Sequence, residues 1–356
     1  MKRNSITVQD LKGIVKALLN DSQGCQKSIM IWGPSGIGKS AACYQVAEEE
    51  GAGMIEVRTS QFSTVDFMGV PGIDHDRNKT VWYTPGWAPD VKRDGQRGIL
   101  FIDELNCAVP AVQTAAYRLI HDRVVGDGYK LPEGWLIVAA GNRMTDRGVT
   151  YRMAQPLANK FFMHIHVRSD YDSWKSWAFQ NMVHPDVIGF LGFKPELLHK
   201  APDGGQEPEG FPTPRTWAGV SLLLGLFKEQ SGLYDRVADC VGQGAAHEFA
   251  TYRRVHKDLP NIEAILSNRK VSYSVPSTRA DILYTLTSTF VSKVLAAEKN
   301  SRQVMIDGAI RFMANAPIEF GYLLVKDFVR QCLKDLAKSG EYKKFVAQHK
   351  DVLSME

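Results

Sequence analysis

Gly33-Pro34-Ser35-Gly36-Ile37-Gly38-Lys39-Ser40 fits G-x-x-x-x-G-K-[ST], a spacing that builds a phosphate cradle. Backbone N–H groups of such a loop, together with the N-terminus of the helix running on from Ala41, converge on one anion. Lys39 is then placed to reach the β and γ phosphates of a nucleotide, and the Ser40 hydroxyl to sit on Mg²⁺. A second cluster, Gly98-Ile99-Leu100-Phe101-Ile102-Asp103-Glu104, ends an apolar run in two carboxylates. Asp103 suits Mg²⁺ held through its water shell, and Glu104 suits orientation or deprotonation of an attacking water. A third run, Gly134 to Arg143, ends in Asn142, whose amide can bond the same water and the γ-phosphate.

These groups need particular elements behind them. Ser28-Ile29-Met30-Ile31-Trp32 reads as a short buried strand feeding the glycine loop, and Ala42, Val46 and Ala47 are spaced for one apolar helix face. The runs before Asp103 and Asn142 are continuously apolar, as central parallel strands buried on both faces are. Carboxylates at the C-terminal ends of such strands lie where α/β folds bind ligands. Taken singly, the glycine loop could be a chance turn and the acid pair a helix cap. Together they predict an additional-strand P-loop core, with one strand between the glycine-loop strand and the Asp-Glu strand.

The runs GPSGIGKS, ILFIDELN, IVAAGNR and FPTPRTW strongly resemble the AAA+ ATPases, specifically their MoxR-like, dynein-related branch. That branch carries an insert opening D-[LF]-x-G-x-P and closing P-x-W-x-P. The matching residues are Asp66-Phe67-Met68-Gly69-Val70-Pro71 and Pro85-Gly86-Trp87-Ala88-Pro89. The resemblance covers about residues 26 to 228. It implies an α/β P-loop AAA+ core with a five-stranded parallel sheet of order 5-1-4-3-2, then an α-helical lid and a C-terminal helical region. Residues 1–25 are read as an N-terminal helix and 26–168 as the core, with a hairpin insert near 66–90. Residues 169–300 are read as the lid and 301–356 as a helical extension.

The resemblance also implies ATP and Mg²⁺ as cofactors, with Gly33 to Ala41 and Asp103 binding nucleotide and Ser40 and Asp103 serving the metal. Thr213-Pro214-Arg215-Thr216-Trp217 starts a helix, with Thr as cap and Pro at its first position. In relatives an Arg at the place of Arg215 reaches the γ-phosphate, work suited to a charged, forked donor; a surface Arg beside a buried Trp217 is the plainer reading. Relatives carry an Arg before the last core-strand Phe, but Leu157-Ala158-Asn159-Lys160-Phe161 has a lysine there. Lysine supplies charge without the planar fork. Arg147 and Arg152 lie just upstream, and the trans-acting role is assigned jointly to Arg152 and Lys160. Arg123 is either a further residue facing a neighbour or a solvated helix-end cation.

Composition agrees with a soluble globular chain: 356 residues, 44% hydrophobic, 23% charged and a net charge of +4. With no dense basic run, charge argues neither for nor against nucleic acid. Five cysteines, scattered and without C-x-x-C, point to a reduced cytoplasmic setting rather than a disulfide framework. No signal-peptide h-region and no membrane-length apolar run is present. Thr7 caps an amphipathic helix through Leu19, with Leu11, Ile14, Val15, Leu18 and Leu19 on its apolar face. The polar, glycine-rich run from Ala201 to Pro214 reads as a surface loop, and helices are expected over Ser277 to Lys299 and Ile318 to Lys338.

Within the insert, the pattern G-I-D, turn, V-W-Y predicts a hairpin whose Trp82 and Tyr83 either grip a client or pack beneath it. Val124 to Lys130, with Asp127-Gly128 at its turn, predicts a second hairpin. His164 and His166 share one strand face; without a nearby Cys or carboxylate they are read as structural rather than metal-binding. The resulting expectation is a Mg²⁺-dependent ATPase, cleaving ATP to ADP and phosphate. The resemblance implies a ring-shaped homo-oligomer, a hexamer, that remodels or activates a client protein. A von Willebrand A-domain protein is the client type it suggests. The alternatives are a nucleic-acid-directed motor of the McrB-like kind and a nucleotide-gated scaffold with slow hydrolysis. No membrane partner is expected.

Overall fold

Isoleucine, methionine, valine and leucine dominate the strands at the centre of the N-terminal unit, and both faces of those strands are covered. The computed structural model describes residues 5–76, 78–126, 128–143, 146, 151–202, 210–227, 232–254, 258–269, 271–273, 275 and 277–349. The chain divides into two units, Met1–Ser169 and Asp170–Glu356.

The first unit runs α1 (Val8–Asn20), β1 (Ser28–Trp32), α2 (Lys39–Glu49), β2 (Gly53–Arg58), α3 (Thr64–Met68), β3 (Val70–Asp74) and β4 (Lys79–Tyr83). It continues with α4 (Val91–Asp94), β5 (Arg97–Asp103), α5 (Pro110–Asp122), β6 (Val124–Val125), β7 (Tyr129–Lys130), β8 (Gly134–Gly141), α6 (Gln155–Ala158) and β9 (Met163–His166). Five strands make one parallel sheet in the order β2-β5-β8-β1-β9. The digits differ from the expected ones because two hairpins add strands to the count. Without the hairpins the order reads 5-1-4-3-2, that of a P-loop AAA+ fold, with β8 between the glycine-loop strand and the Asp-Glu strand.

Parallel strands are covered on both sides, and here each face has its own core. Ile29, Ile31, Ile99, Phe101, Leu136 and Val138 pack with α1 and α2; Met30, Leu100, Ile102, Ile137 and Ala139 pack with α5. Alternate residues of one strand therefore serve opposite cores, which pins the register. α1 starts at a capping box in which Thr7 and Asp10 exchange side-chain and backbone hydrogen bonds. Its Leu11, Val15 and Leu19 are buried.

The signature at the ends of the insert is a structural clasp. Ser63 and Asp66 form a capping box on α3, and the Trp87 indole N–H donates to Asp66 O at 2.8 Å. Phe62, Phe67 and Trp87 cluster with ring centroids 5.4 to 6.4 Å apart. Arg93 adds bonds to the carbonyls of Gly86 and Ala88, each at 3.0 Å. Gly69 has φ +94, and a Cβ there would lie 2.1 Å from Tyr83 O. Between the ends of the clasp, β3 and β4 form an antiparallel hairpin. The second expected hairpin is formed by β6 and β7; Asp127 at its turn lies outside the described residues. Trp82 is half-buried against that hairpin at Gly126, whereas Tyr83 is exposed.

The second unit is helical: α7 (Tyr171–Gln180), α8 (Pro185–Phe193), α9 (Pro214–Phe227), α10 (Leu233–Arg253), α11 (Ile262–Leu266), α12 (Ala280–Ala296), α13 (Lys299–Met313), α14 (Ile318–Leu336) and α15 (Gly340–Gln348). The expected helix over Ser277 to Lys299 is shorter, because Ala297 turns extended and Glu298 caps the next helix. Buried side chains on both sides of residue 300, among them Trp217, Phe249, Phe290, Ile306, Leu324 and Phe328, form one cluster. Lys175 on α7 and Asp327 on α14 make a buried ion pair at 2.7 Å. No helix of the described residues is long and apolar enough to cross a membrane. Of the loop Ala201 to Pro214, residues 203–209 lie outside the described residues.

Candidate active site

The glycine loop connects β1 to α2. Its first glycine is demanded by close approach, since a Cβ on Gly33 would lie 2.8 Å from Val167 O and 2.9 Å from Ile37 Cδ1. Gly38 has φ +101, where side chains are strained, and it leads straight into α2. Lys39 and Ser40 thus occupy the first turn of that helix, with Pro34, Ser35, Gly36 and Ile37 forming the loop before it. Ala41 follows in α2 and is exposed.

Lys39 is buried, and its Nζ donates to Gly33 O at 2.6 Å, Pro34 O at 2.9 Å and Asn142 Oδ1 at 3.3 Å. The ammonium therefore closes the loop on itself and ties it to the end of β8. A phosphate entering the loop would replace carbonyl acceptors with anionic oxygens, a stronger pairing for the same donor.

Asp103 ends β5 and Glu104 follows it in a left-handed conformation, φ 56 and ψ 31. A non-glycine residue held there stores strain and turns the chain sharply away from the strand. Asp103 Oδ1 accepts the Glu104 N–H at 2.9 Å. Burial pushes the Asp103 carboxyl above its ordinary range, against the Glu104 N–H and the Lys39 ammonium, which pull it down. A half-buried carboxylate within the field of Lys39 fits a hard divalent cation that retains its own waters. Ser40 and Asp103 are the residues that would hold Mg²⁺.

Three further residues brace this site, and of these only Asn106 falls within a motif run, as the last residue of ILFIDELN. Thr59 Oγ1 donates to Asp103 O at 2.9 Å, and the Ser60 hydroxyl donates to Glu104 Oε2. Both follow β2, whose pairing with β5 brings Arg58 opposite Asp103. Asn106, in the turn Leu105–Cys107 after Glu104, is buried and bonds the backbone of Asn142 in both directions. An amide soon after the acid pair was the available hint for Asn106. For Thr59 and Ser60 only the strand pairing reveals the contact.

The remaining candidates are distributed. Lys160 Nζ lies 5.5 Å from the Tyr117 ring centroid and 3.1 Å from His121 Nε2, so it rests on α5 of its own chain. Arg152 is exposed and lines a cleft of about 460 Å³ with Trp32, Arg143, His164 and His166. Arg147 lies outside the described residues. Arg123 is not a solvated helix-end cation: it is half-buried, left-handed at φ 59, and donates to the carbonyls of Pro132 and Trp135. Both bonds come from Nη2, and Nη1 is buried without a hydrogen-bond partner among the described residues. His164 accepts the Trp32 indole N–H at Nδ1, 3.0 Å away, and its Nε2 lies 2.8 Å from Ala158 O. Both ring nitrogens are thereby engaged, and among the described residues no group of three or more His, Cys, Asp or Glu is placed to hold a metal.

In the second unit, Arg215 sits exposed in the first turn of α9. Thr213 caps that helix, its Oγ1 accepting the Thr216 N–H at 3.1 Å. Trp217 beside it is fully buried and donates its indole N–H to Leu197 O at 2.7 Å.

No protein-family model and no curated protein matches this chain. Solved structures similar to it include NtrX from Brucella abortus in complex with ADP, at 15% identity over 90% of this chain and 68% of that one, TM-score 0.41. A mutant of Thermotoga maritima RuvB is 15% identical over 73% of this chain and 76% of that one, TM-score 0.39. The Thermotoga maritima RuvB Holliday junction branch migration motor is 13% identical over 73% and 75%, TM-score 0.38. The AAA+ character of the core stands on its own strand order and on the glycine loop, acid pair and asparagine gathered at the strand ends.

Proposed function

We propose that this chain is a Mg²⁺-dependent ATPase of the MoxR-like AAA+ branch, working in a ring-shaped homo-oligomer to remodel or activate a partner protein. The observation that carries the reading is the meeting of Lys39, Asn142 and the Asp103-Glu104 turn at the ends of adjacent parallel strands. Bound Mg²⁺ would neutralise charge on the phosphates. Around it, the loop N–H groups hold the phosphates, Lys39 contributes the fixed cation, and Glu104 orients and deprotonates water. Asn142 orients that water and the terminal phosphate. In this reading Arg215 serves the γ-phosphate, and Arg152 with Lys160 serves the site of a neighbouring copy.

A protein client is supported by the insert hairpin. Val70, Ile73 and Tyr83 are 58, 70 and 64% exposed on a projection clasped at its base. Large apolar side chains presented this way suit contact with polypeptide, such as a von Willebrand A-domain partner, better than contact with phosphate backbone.

The test is a trap. Glu104→Gln, tagged and held with ATP and Mg²⁺, is purified from its native cell with and without nuclease. A nuclease-resistant protein bound only in the presence of ATP is the expected result. Nucleic acid in the eluate, with partners lost after nuclease, would replace this reading with the nucleic-acid motor. Failure of the wild-type chain to hydrolyse ATP, alone or with the captured partner, would leave the scaffold.

A further inference from the structure

The pairing of β8 with β5 extends no further than Ala139 opposite Ile102, because β5 ends and the chain turns away at Glu104. Gly141 and Asn142 therefore run past the end of their neighbour on that side. The gap is filled by one side chain. Asn106 Nδ2 donates to Asn142 O at 2.7 Å, and Asn106 Oδ1 accepts the Asn142 N–H at 3.1 Å. The amide makes the two bonds that another strand residue would have made. The two contacts also settle its orientation, since a flipped amide would set N–H against N–H.

Nothing about this placement is loose. Asn106 is 2% exposed, and its backbone carbonyl accepts the Tyr151 N–H at 2.7 Å. A Cβ on Gly141 would come within 2.4 Å of Asn106 Oδ1 and 2.8 Å of Met30 Cε. The glycine before Asn142 is thus the space into which the Asn106 amide fits. On the far side, Asn142 Oδ1 accepts from Lys39 Nζ at 3.3 Å. A continuous path joins the Glu104 turn to Asn106, to the Asn142 backbone, and through the Asn142 side chain to Lys39.

We propose that Asn106 is the positioning residue of the hydrolytic site. It fixes the Asn142 amide against Lys39 and the terminal phosphate, and links that amide to the turn carrying Glu104. This rests on the ATPase reading above. Asn106 itself touches no reacting atom. Its effect passes through Asn142, because a buried bidentate amide sets the backbone from which the Asn142 side chain departs.

The experiment is a double-mutant cycle on the full chain with Asn106→Ala, Asn142→Ala and the pair, read by single-turnover ATP hydrolysis and by affinity for a fluorescent ATP analogue. Displacing Asn142 by about 1 Å should slow hydrolysis on the order of 100-fold while analogue binding persists. In the Asn142→Ala background the Asn106 substitution should change the rate by less than about twofold, since its route is already gone. Equal losses in both backgrounds, or wild-type turnover in Asn106→Ala, would overturn the assignment. A general loss of folding would appear in both backgrounds and so cannot imitate the expected result. Should Asn106→Ala not fold, Asn106→Asp keeps size and acceptor while removing the N–H donor, and the same cycle is read with it. If the wild-type chain hydrolyses no ATP, the ATPase reading fails. The positioning role, which rests on hydrolysis, then falls with it, whereas turnover by the wild-type chain without coupling in the cycle overturns the positioning role alone.

Discussion

Removing one member of the Lys175–Asp327 pair tests how the helical unit is held together. The two side chains are 4% and 3% exposed, 2.7 Å apart, on helices far separated in sequence. Lys175 Nζ also lies 5.4 Å from the Tyr171 ring centroid. Burial pushes the Asp327 carboxyl up, and Lys175 opposes that shift. Deleting one partner leaves the other buried charge without its ion-pair partner, at a cost of about 3–5 kcal/mol. For a unit of this size that is a fall in melting temperature of roughly 6–20 °C. Replacing both, as Lys175→Met with Asp327→Leu, should return stability to within about 1 kcal/mol of wild type or above it, because both desolvation penalties vanish together. The assay is thermal and urea unfolding of the four proteins, followed by tryptophan fluorescence.

Acid adds a signed check on the same pair. In Lys175→Met the carboxyl titrates in the folded state above its ordinary 3.8. A group raised on folding contributes fully below the unfolded value and loses that contribution as pH rises through the folded one. The deficit of Lys175→Met relative to the double variant should therefore shrink as pH falls from about 7 towards 4. A single-variant loss below about 1 kcal/mol, or a pH-independent deficit, would refute the account of a buried, mutually dependent pair.

The remaining expectations concern the first unit. Lys39→Ala should abolish nucleotide binding in calorimetry, and intact affinity would remove the glycine loop from its role. Gly69→Ala meets both φ +94 and a backbone oxygen 2.1 Å from the new Cβ; it should cost about 1–3 kcal/mol and raise amide exchange across the insert, whereas unchanged exchange would contradict the clasp. Arg152→Ala and Lys160→Ala should slow hydrolysis without weakening binding. Doped into wild-type assemblies they should poison neighbouring sites, and a loss strictly proportional to dose would place both outside any trans-acting role.

Much of the candidate site was legible in one dimension because phosphate chemistry requires local spacing. A glycine loop, its lysine and its helix are consecutive, so Gly33 to Ser40 announce themselves, and the continuous apolar run ending in Asp103-Glu104 reads as a buried strand end. The insert signature was visible too, although its meaning was not. That Trp87 closes on Asp66 O depends on a contact between segments on either side of the hairpin. The reading of Arg123 as a solvated helix-end cation fails for a similar reason: its position at a helix end is a sequence fact, while its burial against Pro132 and Trp135 is a packing fact.

Residue order by itself therefore determined the loop, the strands and the identities of the groups proposed to meet phosphate and water. Tertiary structure alone decided which groups hold them in place. Thr59, Ser60 and Asn106 act across strand ends, and no periodicity or spacing encodes a partner on another strand. The ladder stops where β5 turns away, leaving Asn142 without a backbone neighbour there, and a buried amide had to be folded in to satisfy it.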